Sequence, residues 1–389
     1  MILFTSWFNS ERNRENEMCL QENLNNPWIE KVVLLCDDKR PFPTHEKIVG
    51  VEINHRPTFD DFFAEMGKHQ TDFYLLANAD IYFDDTLYYT KFLKDKEVFA
   101  LCKWNDKIDG GCEFYNHQDS QDAWIFREAP VKVVMPFHMG CLGCDNRLVV
   151  ELEKVGYSVS NPSLTIKAHH VHFGPRKASI DTRIPEPYKW IPPSRIHPFM
   201  SIVTRHFYRR PKMFEVCRKS VLAQKDPDFD HIIIKDMVGV GFARTNGYFY
   251  EHRDLVHGQY VFMLDDDNIL ITDDFVSDMK KIARENDNPG LIFVKMWIND
   301  CYYPTNVDWK ASKLTINHID TACVVVRHDL WNAHIKNFLQ RKAGDFFFIE
   351  SVYNSKPTVF WQDKFYARTI KVSHGKPEEE EDLKFGKCG

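Results

Sequence analysis

The sequence predicts an α/β protein of two tandem domains, each built on a mixed and mostly parallel sheet. Three observations carry that reading. The chain has 389 residues, about two or three times the usual domain of roughly 100–200 residues. Apolar strand-like runs alternate with helical patterns, as in sheets whose parallel strands are joined by helical crossovers. Finally, the second half repeats the order of the first.

In the first half, residues 2–9 (ILFTSWFN) form a strand-like run followed by a polar helical stretch. A second strand, Lys31 to Cys36, is closed by Asp37 and Asp38. Then come FYLLANADIYFDD (73–85), CKWND (102–106), DAWIFR (122–127) and IKAHH (166–170). The second half opens with FMSIVTRH (199–206), the helical pattern MFEVCRKSVLAQ and a strand, His231 to Lys235, closed by Asp236. It continues with YVFMLDDDNILITDD (260–274), MWIND (296–300), DTACVVVR (320–327) and IKVSH (370–374). Similar segments in one order argue for tandem duplication. Proline density between Ile184 and Pro193 excludes a helix or central strand there. The expected division is a first domain over 1–185, a linker over 186–195 and a second domain over 196–389.

Composition sets the class. Hydrophobic residues make up 43% and charged residues 27%, an ordinary globular balance that excludes disordered and collagen-like chains. A net charge of −6 supplies no overall cationic field for nucleic acid or an anionic membrane. No apolar run approaches the roughly 18 residues of a membrane span, so the expectation is a protein without a transmembrane segment, located in the cytoplasm, or in the host cytoplasm for a viral chain. The ten cysteines are scattered through apolar stretches and read as free thiols. Cys141 and Cys144 form a CxxC without a second pair at zinc-finger spacing.

Chemistry concentrates in the acidic clusters. Asp265, Asp266 and Asp267 follow the strand Tyr260 to Leu264, and adjacent carboxylates repel unless a cation neutralises them. At the carboxyl edge of a parallel sheet, where open α/β folds bind ligands, they could share Mg²⁺ or Mn²⁺ with phosphate oxygens. A solvated turn is the plain alternative.

A strand ending in such a triplet resembles the GT-A nucleotide-sugar glycosyltransferases, with their Rossmann-like halves. The resemblance extends to family-two-like enzymes of bacteria, phages and large DNA viruses. It implies that Asp236 and the segment Ala243-Arg-Thr-Asn-Gly247, with Arg244, lie at the donor nucleotide together with Asp265 and Asp266. Asp265, Asp267 and His374 would hold the metal, and Asp345 would be the catalytic carboxylate. The first half matches with departures. Its triplet is Asn78-Ala79-Asp80, an amide replaces one carboxylate, and no A-R-N-x-G element appears. Asp37 and Asn78 then fall on the donor side, Asp80 with His170 or His172 at the metal, and Asp145 at the catalytic position, with His169 a competitor for the histidine.

The implied activity is a metal-dependent transfer of sugar from a nucleotide-sugar donor, a UDP-sugar first among them, to a hydroxyl of a glycan or other acceptor. Two competent sites would suit successive additions. The metal stabilises the leaving diphosphate, and a mixed carboxylate and imidazole set suits Mn²⁺ better than Mg²⁺. Asp345 and Asp145 would take the acceptor proton, although each could instead cap the helix it precedes. Asp320 and Asp122 are acceptor-side candidates. Trp297, Trp104 and Trp361 could stack on sugar faces, or pack in the core. Four alternatives stay open: only the second domain is catalytic; the acceptor is a modified base of viral DNA, met by Arg205, Arg209, Arg210 and Lys212; the protein binds carbohydrate or nucleotide without turnover; or it is a nucleotidyltransferase, against which the absence of a Gly-rich phosphate loop counts.

Overall fold

The computed structural model describes residues 1–107, 110–173, 183–239, 242–298, 301–340 and 343–370. It consists of two compact units, Met1–Ile196 and His197–Gly389.

The first unit runs β1 (Ile2–Ser6), α1 (Asn13–Asn25), β2 (Lys31–Cys36), β3 (Ile48–Glu52), α2 (Phe59–Met66), β4 (Tyr74–Ala77), β5 (Ile81–Phe83), β6 (Glu97–Leu101), β7 (Lys103–Asp106), β8 (Cys112–Phe114), β9 (Ala123–Phe126), α3 (Cys144–Lys154), β10 (Ser158–Ser160) and β11 (Ala168–His170). Its main sheet has the order β10-β6-β9-β4-β1-β2-β3. β1 pairs in parallel with β2 and β4, whereas β9 is antiparallel to both β4 and β6. The central strands β1, β2, β4 and β9 are buried on both faces, which is why they read as continuous apolar runs. Tyr74, Leu76, Trp124 and Phe126 face one core with Phe59, Phe62 and Phe63 of α2. Leu75, Ala77, Ala123 and Ile125 face the other, under Leu20 and Leu24 of α1. A smaller sheet, β5-β11-β7-β8, flanks it.

The opening strand is shorter than the apolar run suggested: β1 ends at Ser6, and Trp7 turns aside to lie under the Arg40 guanidinium, 3.7 Å from its ring centroid. The proline-rich stretch is tied into the first unit, with Lys189 N donating to Asn146 O at 3.1 Å, Ile191 N to Gln118 O at 3.1 Å and Ser194 N to Asn161 O at 2.7 Å.

The second unit runs β12 (Met200–Phe207), α4 (Pro211–Leu222), β13 (Phe229–Asp236), α5 (Phe242–Glu251), β14 (Tyr260–Met263), β15 (Asn268–Leu270), α6 (Phe275–Glu285), β16 (Leu291–Ile298), β17 (Cys301–Tyr303), α7 (Asn306–Ala311), β18 (Val324–Arg327), α8 (His328–His334), α9 (Gly344–Asn354) and β19 (Val359–Thr369). The sheet order is β13-β12-β14-β18-β16-β19-β15, with β17 on β16. α6 shows how the sequence drives the packing: Phe275, Val276, Met279, Ile282 and Ala283 recur at helical spacing and are its buried residues.

Both units share the feature that positions a site. The chain leaves the first strand of each unit for one side, adding β2 and β3 in the first unit and β13 in the second, then returns to place β4 or β14 on the other side. β1 with β4, and β12 with β14, therefore flank a point where crossovers diverge at the carboxyl edge, the place where open α/β sheets bind ligands.

Candidate functional site

At that edge of the first unit lies a cavity of about 570 Å³, lined by Ser6, Arg12, Asp37, Asp38, Arg56, Asn78 and Asp80 among others. This is within the roughly 300–1,000 Å³ of small-ligand pockets. Each strand-end residue is there because a strand stops there: β1 at Ser6, β2 before Asp37, β4 before Asn78. Asp38 is spent on the turn, accepting from Asn9 N at 2.6 Å and Arg40 N at 3.1 Å.

Asp80 is held from two sides. His170 Nε2 lies 3.1 Å from its Oδ2, and Arg12 Nη1 donates to the same oxygen at 2.8 Å. Arg12 also donates from Nη2 to Val171 O at 2.8 Å and from Nε to Glu15. Burial works to raise the Asp80 carboxyl, but His170 and Arg12 overcome it and hold it down at about 2. His172 stacks on His170, ring centroids 5.6 Å apart. His169, the neighbour on β11, points elsewhere: Nδ1 meets Asp106 Oδ1 at 2.9 Å and Nε2 meets Asp84 Oδ2 at 3.3 Å, with the ring stacked on Tyr82. Burial would lower the His169 pKa, yet the two carboxylates raise it to about 9.

Asp145 sits in the first turn of α3. The helix is capped by Gly143 in the left-handed region (φ 82°) without a side-chain bond, so Asp145 is not the N-cap. It accepts from Cys144 Sγ at 2.8 Å and from Gln121 N at 3.3 Å. Burial first, and the neighbouring Asp122 second, push it up to about 7. Asp122 is itself anchored by Lys103 Nζ and Asn78 Nδ2, both 3.1 Å from Oδ1. Asn78 thus lines the cavity and touches the carboxylate that tunes Asp145.

In the second unit the triplet is neutralised by arginine. Arg205 donates to both oxygens of Asp265, at 2.7 and 2.6 Å, and to Asn246 Oδ1 at 2.6 Å. Asp266 is buried, accepting from Phe207 N and Arg210 Nη1, each at 2.8 Å, beside His206. Arg210 also reaches Asp267 Oδ2 at 3.3 Å. Arg205 feels Asp345 and Asp320 as well as Asp265. Burial, then Asp345, raises Asp320 to about 7, and burial raises Asp345 against the pull of Phe346 N–H and Arg205. α9 is capped at Ala343 without a side-chain bond, with Asp345 in the first turn, so neither candidate base is a helix cap.

Asp236 ends β13 and accepts from Val238 N and Gly239 N at 3.1 and 2.8 Å, closing its own turn. Arg244 is exposed near the start of α5. His374 lies outside the described residues. Trp104 donates to Ser163 O at 2.9 Å, Trp297 stacks on Phe365 and Trp361 on Phe293; none lines the cavity. The basic cluster expected to meet DNA does not form, because Arg205 and Arg210 turn inward, their side chains only 12% and 6% exposed.

The metal expectation meets a similar difficulty. Asp80 and Asp267, expected to ligate Mn²⁺ or Mg²⁺, each face a guanidinium, and among the described residues no group of three or more His, Cys, Asp or Glu is arranged to hold a metal ion. In the first unit the described residues do not fit a divalent ion; in the second, His374, expected to complete the set, lies outside the described residues. Of the arginines that face these carboxylates, Arg205 and Arg210 enter the sequence reading only as DNA-facing groups and Arg12 does not enter it, although Arg12 and Arg210 both stand immediately before the first helix of their unit.

No protein-family model matches the chain, and no curated protein matches it. Among solved structures it is similar to residues 1–349 of Staphylococcus aureus TarS, at 12% identity over 44% of this chain and 60% of that one, TM-score 0.35. The same protein in complex with UDP gives 15% identity, 45% and 60% coverage and a TM-score of 0.34. The complex with UDP-GlcNAc gives 13%, 49%, 61% and 0.32. The chain therefore spans under two thirds of these relatives, and function is drawn from the geometry above. No helix among the described residues is long and apolar enough to cross a membrane.

Proposed function

We propose that this chain is a glycosyltransferase moving sugar from a nucleotide-sugar donor to an acceptor hydroxyl, with the first unit's cleft as one of its sites. The observation that carries the reading is a ligand-sized cavity holding Arg12 and Arg56, whose wall residue Asn78 bonds Asp122, the carboxylate that helps raise Asp145 to about 7. The guanidinium groups suit a diphosphate, and a base with a pKa near the working pH suits an acceptor hydroxyl. In the transfer, the acceptor oxygen attacks the anomeric carbon as its proton passes to Asp145. The bond from that carbon to the diphosphate oxygen breaks, and its electron pair leaves with the diphosphate. Asp37, at the cavity wall after β2, is the donor-side group able to take a ribose or base contact. The second unit gathers Asp345 and Asp320 around Arg205, which supports a second transfer site and two successive additions. The inward arginines favour a glycan over DNA as acceptor.

The test is release of nucleoside diphosphate from a panel of nucleotide sugars, with acceptor products separated by mass. Asp145→Asn and Asp345→Asn should each remove a different product, with a loss of about 10²-fold or more in rate. A parent chain that turns over no donor would defeat the reading. If Asp145→Asn makes every product the parent makes, only the second unit is catalytic.

A further inference from the structure

The two units solve one electrostatic problem with the same device. The residue preceding the first helix is arginine in both, and in both it reaches the last carboxylate of the triplet: Arg12 to Asp80 at 2.8 Å, Arg210 to Asp267 at 3.3 Å. The triplets differ at two positions, Ala79 against Asp266 and Asn78 against Asp265, and the second of these follows a paired change. Extending the registers Ile2 to Tyr74 and Met200 to Tyr260 places Ser6 beside Asn78 in the first unit and Arg205 beside Asp265 in the second. Where the cation is absent, the carboxylate has become an amide.

We propose that in the first unit Arg12 takes the part of a divalent ion, bridging Asp80 and the diphosphate of the donor, so that this site binds its nucleotide without metal. The inference rests on the nucleotide-sugar reading of the cleft. Arg12 is placed for the role: its side chain is 34% exposed, lines the cavity, and is fixed by Asp80, Val171 O and Glu15. Those bonds use one hydrogen on each nitrogen, leaving a hydrogen on each terminal nitrogen for phosphate oxygens, the forked geometry guanidinium offers. Its position at the start of the 13-residue α1 adds the positive end of the helix dipole. Arg56, with Nη2 donating to Met139 O at 2.8 Å, supplies a second guanidinium at the same cavity. A metal entering at Asp80 would have to displace Arg12.

The test is calorimetric titration of UDP, ADP, GDP and CDP into the full-length protein, in EDTA and again in Mn²⁺. At least one nucleotide should bind in EDTA, with an affinity that Mn²⁺ changes by less than about threefold at that site. Arg12→Gln should weaken the EDTA-resistant binding by about tenfold or more, the scale of one charge-assisted hydrogen bond to phosphate, and Arg12→Lys should restore only part of it. Binding that appears solely with Mn²⁺ would overturn the inference while leaving the transferase reading intact. EDTA-resistant binding unchanged in Arg12→Gln would also overturn it. No binding by any nucleotide in either condition would overturn both readings. The comparison on the parent chain decides the matter even if the variants fold poorly.

Discussion

Replacing Asp122 by Asn changes one charge in the first unit and little of its shape, because an amide oxygen can still accept from Lys103 and Asn78. Asp122 is, after burial, the main reason Asp145 sits near 7. In the parent chain a base with that pKa is about one tenth ionised at pH 6 and about nine tenths at pH 8, so kcat/KM should rise about tenfold across that interval. Removing the neighbouring carboxylate leaves Lys103 without its anionic partner and lowers the Asp145 pKa. A fall of about one unit, equivalent to about 1.4 kcal/mol, would leave Asp145 half ionised at pH 6. Relative activity at pH 6 against pH 8 should then increase about fivefold. The assay is the pH dependence of nucleoside diphosphate release, paired with a carbon-13 titration of the Asp145 carboxyl that needs no turnover. An acid limb that stays at 7, or moves upward, would refute the coupling between the two carboxylates.

Other consequences can be measured on stability alone. His169 is raised from 6.5 to about 9, so its contribution, about 3 kcal/mol at most, should be complete below pH 6.5 and lost as pH rises through about 9. Urea unfolding of His169→Gln should lose that alkaline dependence; an unchanged pH profile would remove the clamp from the account. Arg205→Ser should cost about 3–5 kcal/mol by stranding Asp265, and Arg205→Ser with Asp265→Asn together should recover most of it, whereas simple additivity would mean the pair is not coupled. Gly143→Ala places a Cβ 2.9 Å from the Tyr188 hydroxyl at a φ of +82°. It should cost about 1–3 kcal/mol and displace the first turn of α3, seen as a drop in melting temperature with a shifted Asp145 titration; a stability equal to the parent's would show that the turn tolerates a side chain.

What could be read from sequence follows the range of the forces involved. Lys31 to Cys36 is legible as a strand because its apolar run is local and buried on both faces, and the carboxylates after it and after β4 are legible because a parallel sheet delivers strand ends to one edge. The same run-length argument cannot give β9 a direction: Ala123 to Phe126 is fully buried and would read identically in a parallel pair. Arginine partners escape for a different reason. Arg12 and Asp80 are 68 residues apart, and an arginine in a polar loop looks like any solvated cation until the fold brings the carboxylate to it. The histidines were partly decidable. Successive residues on a strand face opposite ways, so His169 and His170 could not both serve Asp80, and the pattern on β11 names neither until β5 and β7 are in place.

The contrast between Ser6 beside Asn78 and Arg205 beside Asp265 also bears on how such sites can change by mutation. From the neutral form, gaining the arginine first sets a lone cation among buried groups, and gaining the carboxylate first sets a lone anion there. From the charged form, either single loss strands the survivor. Every one-step route between the two sites therefore passes through an unbalanced intermediate, and the valley is deepest where the side chains are most enclosed. A library that varies positions 6 and 78, or 205 and 265, one at a time would find these positions intolerant, while a library that varies them jointly would find a second peak. Altering the charge at either pair of positions is consequently a problem of moving between peaks, and saturation of single positions would miss it.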